Sequence, residues 1–170
     1  MNNLQVIAAY PCLGKTTLYQ LNKKNVIDSE FNESRSTQNM NEKQIDLFFT
    51  ACADITELRI QSNACKVLFI TEDERLLKKL RTRNIKPILV FPDVYDKKYM
   101  EEYKEKVLDR SGRFWWNRVI EPEIYNLINR IENYRSMDYD VRLTNSQYPF
   151  IEDVVELGEV LRLPKDTLMK

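Results

Sequence analysis

The sequence predicts an α/β fold: a three-layer sandwich around a five-stranded parallel sheet. Three observations carry this expectation. Strand-like runs alternate with helical stretches five times along the 170 residues. Most of the runs are continuously apolar, as strands buried on both faces require. The first run leads through a short loop directly into Gly-Lys-Thr and a helical pattern.

Taken in order, Leu4 to Ala9 is the first buried strand, and Lys15 to about Asn22 is a helix with Leu18 and Leu21 on one face. Asn22 to Asn25 reads as a turn, and Val26 to Phe31 as a short second strand. Asn32 to Asn41 is rich in Ser, Thr, Asn and Gln, the composition of a surface loop. Glu42 to about Asn63 carries Ile45, Phe48, Phe49, Cys52 and Ile55 at helical spacing. Lys66 to Ile70 is the third strand. Thr71 and Glu74 have the form of a capping box, opening a helix with Leu76, Leu77 and Leu80.

Ile85 to Phe91 is the fourth strand, ended by Pro92. Asp93 to Asp109 is helical, with Tyr99, Met100, Tyr103 and Val107 inward, and Arg110 to Arg113 breaks it. Phe114 to Tyr134 is helical in two pieces, because Pro122 is tolerated in a first turn and not in a helix interior. Tyr139, Val141 and Leu143 alternate with Asp140 and Arg142 to give the fifth strand. Phe150 to Leu161 is the last helix. No linker, repeat or composition break divides the chain, so a single domain spanning 1–170 is expected.

The loop after the first strand carries the chemistry. Ala9 to Thr17 follows the phosphate-cradling pattern G-x-x-x-x-G-K-[ST], with Ala9 in place of the first glycine. N–H groups at a helix start favour an anion. Lys15 is expected to reach β- and γ-phosphates, and the Thr16 hydroxyl to sit on Mg²⁺. Tyr10, Pro11, Cys12, Leu13, Gly14, Lys15, Thr16 and Thr17 are the expected nucleotide-binding residues.

Composition narrows the chemistry further. Lys+Arg and Asp+Glu stand at 26 each, so no basic excess points to nucleic acid. Histidine is absent, which removes His-ligated metals, imidazole bases and Ser-His-Asp triads. Cys12, Cys52 and Cys65 lack paired spacing, which argues for a reducing compartment and against disulfides or a zinc site. No apolar run approaches a membrane span. The first strand begins almost at Met1, leaving no room for a leader, and the expected location is cytoplasmic.

In the loop Ala9–Thr17, in Val26-Ile27-Asp28-Ser29, in the strand Val67–Ile70 and in Val90-Phe91-Pro92-Asp93, the chain resembles the P-loop nucleoside and nucleotide kinases. In particular, it looks like the small nucleotide-kinase-like proteins encoded by tailed phages. The resemblance implies a P-loop NTPase fold with strand order 2-3-1-4-5, ATP with Mg²⁺ as phosphate donor, and a small nucleotide or nucleoside acceptor. It also implies an acceptor-binding insert near residues 32–63, including Arg35, and an arginine-bearing lid near 108–116. Arg110 and Arg113 fall where the lid lies, and guanidinium groups there neutralise charge on a transferred phosphoryl.

Several of these residues have two readings. Asp28 either ends a strand or orients the acceptor. Asp73 either stands in a helix cap or orients the metal. Arg110 and Arg113 either complement a helix end or form the lid. Trp115 and Trp116 are core residues or base-stacking ones. Cys12 is a small residue that fits its loop, or a thiol acidified at a helix start. The function expected from the whole is ATP-dependent phosphoryl transfer to a nucleotide, with Lys15, Asp28, Arg110 and Arg113 as its catalytic residues. An NTP-binding regulator or weak NTPase, and a polynucleotide 5′-kinase, are the alternatives.

Overall fold

The structure, a computed structural model, describes residues 4–29 and 37–157. Its strands are β1 (Gln5–Ala9), β2 (Val26–Ser29), β3 (Val67–Ile70), β4 (Ile88–Pro92) and β5 (Val141–Thr144). Its helices are α1 (Lys15–Leu21), α2 (Glu42–Gln61), α3 (Glu74–Arg81), α4 (Lys97–Trp115), α5 (Glu121–Ser136) and the single turn α6 (Ile151–Val154). A π-helical turn, Trp116–Ile120, joins α4 to α5.

The strands form one parallel sheet in the order β2-β3-β1-β4-β5, the order the resemblance implied. All four residues of β3 are buried. Successive strand side chains point to opposite faces, so burial at every position means that both faces are covered. Ile7, Ala8, Leu68, Phe69, Leu89 and Val90 form the centre of the core. On α3 the buried residues are Leu76, Leu77 and Leu80, the stripe its helical spacing defines.

β1 and β4 are neighbours, but the chain leaves them toward opposite sides of the sheet: β1 leads to β2, and β4 leads to β5. At such a reversal the connections splay apart and open a crevice beyond the carboxyl ends of the strands. Everything described next lies there.

Some boundaries differ from the sequence expectation. The cap of α3 is Asp73, whose carboxylate accepts from the Arg75 N–H at 2.8 Å; Thr71 lies outside the helix. A residue one position before the helix competes better for its first N–H groups than one three positions away. β4 begins at Ile88, because Pro87 has no N–H to give the ladder. It runs through Pro92, which pairs with Thr144 on β5. α4 starts at Lys97, capped by Asp96.

The break expected over 110–113 narrows to one residue. Gly112 takes φ 80° and ψ 166°, and helix continues on both sides of it. Pro122 is the second residue of α5, directly after the π-helical turn, so the proline stands where the helix changes its winding and not inside a regular α-helix. α2 opens on a reciprocal cap: Asn41 accepts from the Gln44 N–H at 3.0 Å, and Gln44 accepts from the Asn41 N–H at 2.9 Å. The helix expected over 150–161 is the single turn Ile151–Val154, because Val155 turns extended at φ −121° and ψ 127°. Residues 158–161, residues 30–31 of the second strand and most of the polar loop, including Arg35, lie outside the described residues.

Candidate functional site

The loop Tyr10–Gly14 continues from β1 at the centre of the sheet. Its first N–H, from Tyr10, still donates to β4, at Val90 O and 2.8 Å. The backbone then turns sharply, with Cys12 at φ 61° and Gly14 at φ 103°, both left-handed. Gly14 caps α1 without a side chain. A Cβ at Gly14 would meet Phe150 at 3.5 Å and Glu152 at 3.6 Å, ordinary contacts. The position calls for glycine because of its backbone angle, not for lack of space.

Contacts from three directions hold the loop. The Tyr103 hydroxyl on α4 donates to the Pro11 carbonyl at 2.9 Å. Ile151 N–H, at the start of α6, donates to the Leu13 carbonyl at 3.1 Å. Lys15, itself buried, turns back on the loop and donates through Nζ to the Ala9 carbonyl. Burial pushes the Tyr103 phenol well above its usual range, which keeps it a neutral donor.

The loop separates two cavities. On its helix side, Cys12, Gly14, Thr16 and Thr17 face Lys106 and Arg110 of α4 and the Phe150 ring across about 340 Å³. Arg110 Nη2 donates to Thr16 Oγ1 at 3.0 Å. Lys106, one turn back on the same helix, lies 5.0 Å from the centre of the Phe150 ring. Burial lowers the pKa of Lys106, against the pull of Glu102 and Asp153.

On the strand side, Ala9, Tyr10 and Pro11 face Thr71, Glu72 and Asp73 after β3, the π-helical turn at Arg118, Val119 and Ile120, and Glu123 and Arg130 of α5, across about 460 Å³. Glu72 is the buried centre of that wall. The Tyr134 hydroxyl donates to it at 2.8 Å, and Arg130 forms an ion pair with it while bonding Glu123 at 2.9 Å. Burial pushes the Glu72 carboxyl up, and Arg130 pulls it back down. Burial works against the Arg130 charge too, and the Glu72 carboxylate more than offsets it.

The residues expected from the sequence are therefore distributed. Cys12, Gly14, Thr16, Thr17 and Arg110 share one cavity, and Tyr10 and Pro11 line the other. Leu13 is buried in the core. Arg113 is exposed, beyond the kink at Gly112, and lines neither cavity. Asp28 lies on the edge strand with β3 between it and β1, level with Ile7 through Phe69, and lines neither cavity. Asp73 is engaged as cap and as the ion-pair partner of Arg75 at 2.8 Å. Trp116 is buried in the core.

Lys106, Phe150, Arg118, Glu123 and Arg130 were not anticipated. Only Lys106 had a sequence signal, standing four residues before Arg110 on one helix face.

The chemistry of the 340 Å³ cavity suits an anion. Thr16 offers a hydroxyl oxygen that already holds a positive group, and Lys106 and Arg110 add positive charge. Among the described residues no group of three or more His, Cys, Asp or Glu side chains could hold a metal ion. A metal here would rest on Thr16 and on oxygens carried in by the ligand. Among the described residues, no helix is long and apolar enough to cross a membrane. No protein-family model matches the chain, and no curated protein matches it.

Proposed function

We propose that the protein is a P-loop phosphotransferase that moves a phosphoryl group from ATP, bound with Mg²⁺, to a nucleotide. The observation that carries this reading is the loop between two cavities at the sheet's reversal point. The helix-side cavity takes the phosphates of the donor, and the strand-side cavity takes the acceptor, so the two meet across Ala9–Gly14. Phosphoryl transfer demands positioning and positive charge more than acid–base groups, which suits a chain without histidine.

In this reading Lys15 leaves the Ala9 carbonyl for the transferred phosphate, and Thr16 holds the metal. Bound Mg²⁺ supplies charge neutralisation between the phosphates. Arg110, already at the rim, closes over the developing charge, and Arg113 follows once the backbone turns at Gly112. Arg118 and Arg130 face the acceptor, with Arg130 oriented by Glu72. Asp28, on the edge strand and lining neither cavity, has no contact with the acceptor in this reading. A second reading, nucleotide binding or slow hydrolysis without transfer, is favoured by one observation: Asp73 is engaged as a helix cap, not in orienting a metal.

Thin-layer analysis of labelled ATP with nucleosides, monophosphates and 5′-hydroxyl oligonucleotides separates the readings. A labelled diphosphate or triphosphate is the expected product. A labelled oligonucleotide would indicate an end kinase, and free phosphate alone would indicate the second reading. Lys15→Ala should lower turnover by roughly two orders of magnitude or more. Turnover by that variant at the wild-type rate would sink the mechanism.

A further inference from the structure

The Arg110–Thr16 contact has a meaning of its own. Thr16 Oγ1 is the oxygen on which the proposed metal rests, and a guanidinium nitrogen stands 3.0 Å from it. A Mg²⁺ ion lies about 2.1 Å from its oxygen ligands and needs near-octahedral space around it. Metal and guanidinium on one hydroxyl therefore stand within about 5 Å of each other on any geometry. At that separation a dication and a monocation repel strongly, more so beside a loop partly shielded from water. The two occupants exclude each other.

We propose that Arg110 is a placeholder for the divalent cation: it satisfies Thr16 in the unliganded protein and must leave before metal and nucleotide settle. The proposal rests on the phosphate-loop reading above.

A further observation supports it. Arg110 is exposed and makes no ion pair among the described residues, so none of their carboxylates holds it elsewhere. The exposed Arg110 side chain can rotate off Thr16 about its own bonds, without disturbing Tyr103 or Val107 in the core. The displaced guanidinium is then beside the phosphates. One residue thus keeps the empty site satisfied and completes the filled one.

Calorimetric titration with ADP, in excess Mg²⁺ and in EDTA, tests this without any turnover. ADP is the probe because it lacks the γ-phosphate over which Arg110 closes. The quantity read is the metal enhancement, Kd in EDTA divided by Kd in Mg²⁺. Arg110→Ala should raise it by about fivefold, the size of one charged hydrogen bond to an exposed hydroxyl. In a Thr16→Val background, where the shared oxygen is gone, the same substitution should leave the enhancement within about twofold.

Arg110 is exposed, so its loss leaves the core intact. An enhancement that is unchanged or smaller in Arg110→Ala overturns the placeholder. So does an equal rise in the Thr16→Val background. If the wild-type protein binds ADP under neither condition, the phosphate-loop reading fails and the placeholder fails with it. Binding without the predicted change fails the placeholder alone.

Discussion

Tyr103 donates its hydroxyl to the carbonyl of Pro11 at 2.9 Å, while the rest of the residue is fully buried. This bond joins the helix after β4 to the loop after β1, the two connections that splay apart at the sheet's reversal. The phenol reaches the loop from inside the core, so the loop inherits the rigidity of the helix. Tyr103→Phe should remove about 1 kcal/mol of stability by leaving a carbonyl unserved. Amide hydrogen exchange should accelerate at residues 10–14 more than in β4. Equal exchange in the two segments would show that the loop is held by its other contacts.

Gly14 makes a separable prediction. Its φ of 103° lies where a side chain is strained, yet its nearest neighbours stand at contact distance. Gly14→Ala should lose about 1–2 kcal/mol from the backbone alone. Gly14→Asn, a larger residue that visits left-handed angles more readily, should lose less. Urea unfolding ranks the two. A greater loss for Asn would mean that crowding by Phe150 and Glu152 governs the site.

The buried Glu72–Arg130 pair predicts a pH signature. In Arg130→Met the Glu72 carboxylate keeps Tyr134 but loses its counter-ion, and stability at pH 7 should fall by roughly 2–4 kcal/mol. Burial already raises the Glu72 pKa, and loss of Arg130 raises it further. A group with a raised folded pKa favours the folded state below its unfolded value, about 4.3, and disfavours it above the folded one. The deficit of Arg130→Met should therefore shrink as pH falls toward 4. Thermal unfolding from pH 7 to pH 4 checks it, and a deficit that grows on acidification would contradict the assignment.

Glu152 predicts a gain. Its Oε2 is buried beside Gly14 without a partner among the described residues, and burial raises its pKa. The sign is the same: the carboxylate lowers stability above its folded pKa and is harmless once protonated. Glu152→Gln should stabilise the protein by roughly 1 kcal/mol at pH 7, the low end for a side chain that keeps part of its hydration. The gain should vanish below about pH 4. Chemical denaturation at the two pH values measures the difference.

Much of this architecture was legible in the chain. Val67–Ile70 and Ile88–Phe91 are apolar without alternation, which announces strands covered on both sides, and Gly-Lys-Thr after the first run marks the sheet's carboxyl edge. The inward stripe of α4, Tyr99, Tyr103 and Val107, was plain from its spacing, whereas Arg110 was reached only through the resemblance, as a lid residue. The strand-side cavity was not. Glu72 and Arg130 are 58 residues apart and meet only because β3 and α5 come together in the fold. No local pattern encodes that meeting. The cap at Asp73 was misread because Thr71 and Glu74 satisfy a spacing rule that the backbone of 71–73 does not follow.

The π-helical turn between α4 and α5 has a consequence for phase. Glu121 N–H reaches back five residues, to the Trp116 carbonyl. Relative to an α-helix, the turn holds one residue more, and each residue rotates a helix by about 100°. α4 is set by what it must touch at Pro11 and Thr16. α5 is set by Leu127, Ile131 and Tyr134 in the core and by Arg130 at Glu72. An uninterrupted helix has a single rotational setting and could not meet both demands at once. The kink at Gly112 and the extra residue of the π-helical turn together supply the offset that reconciles them.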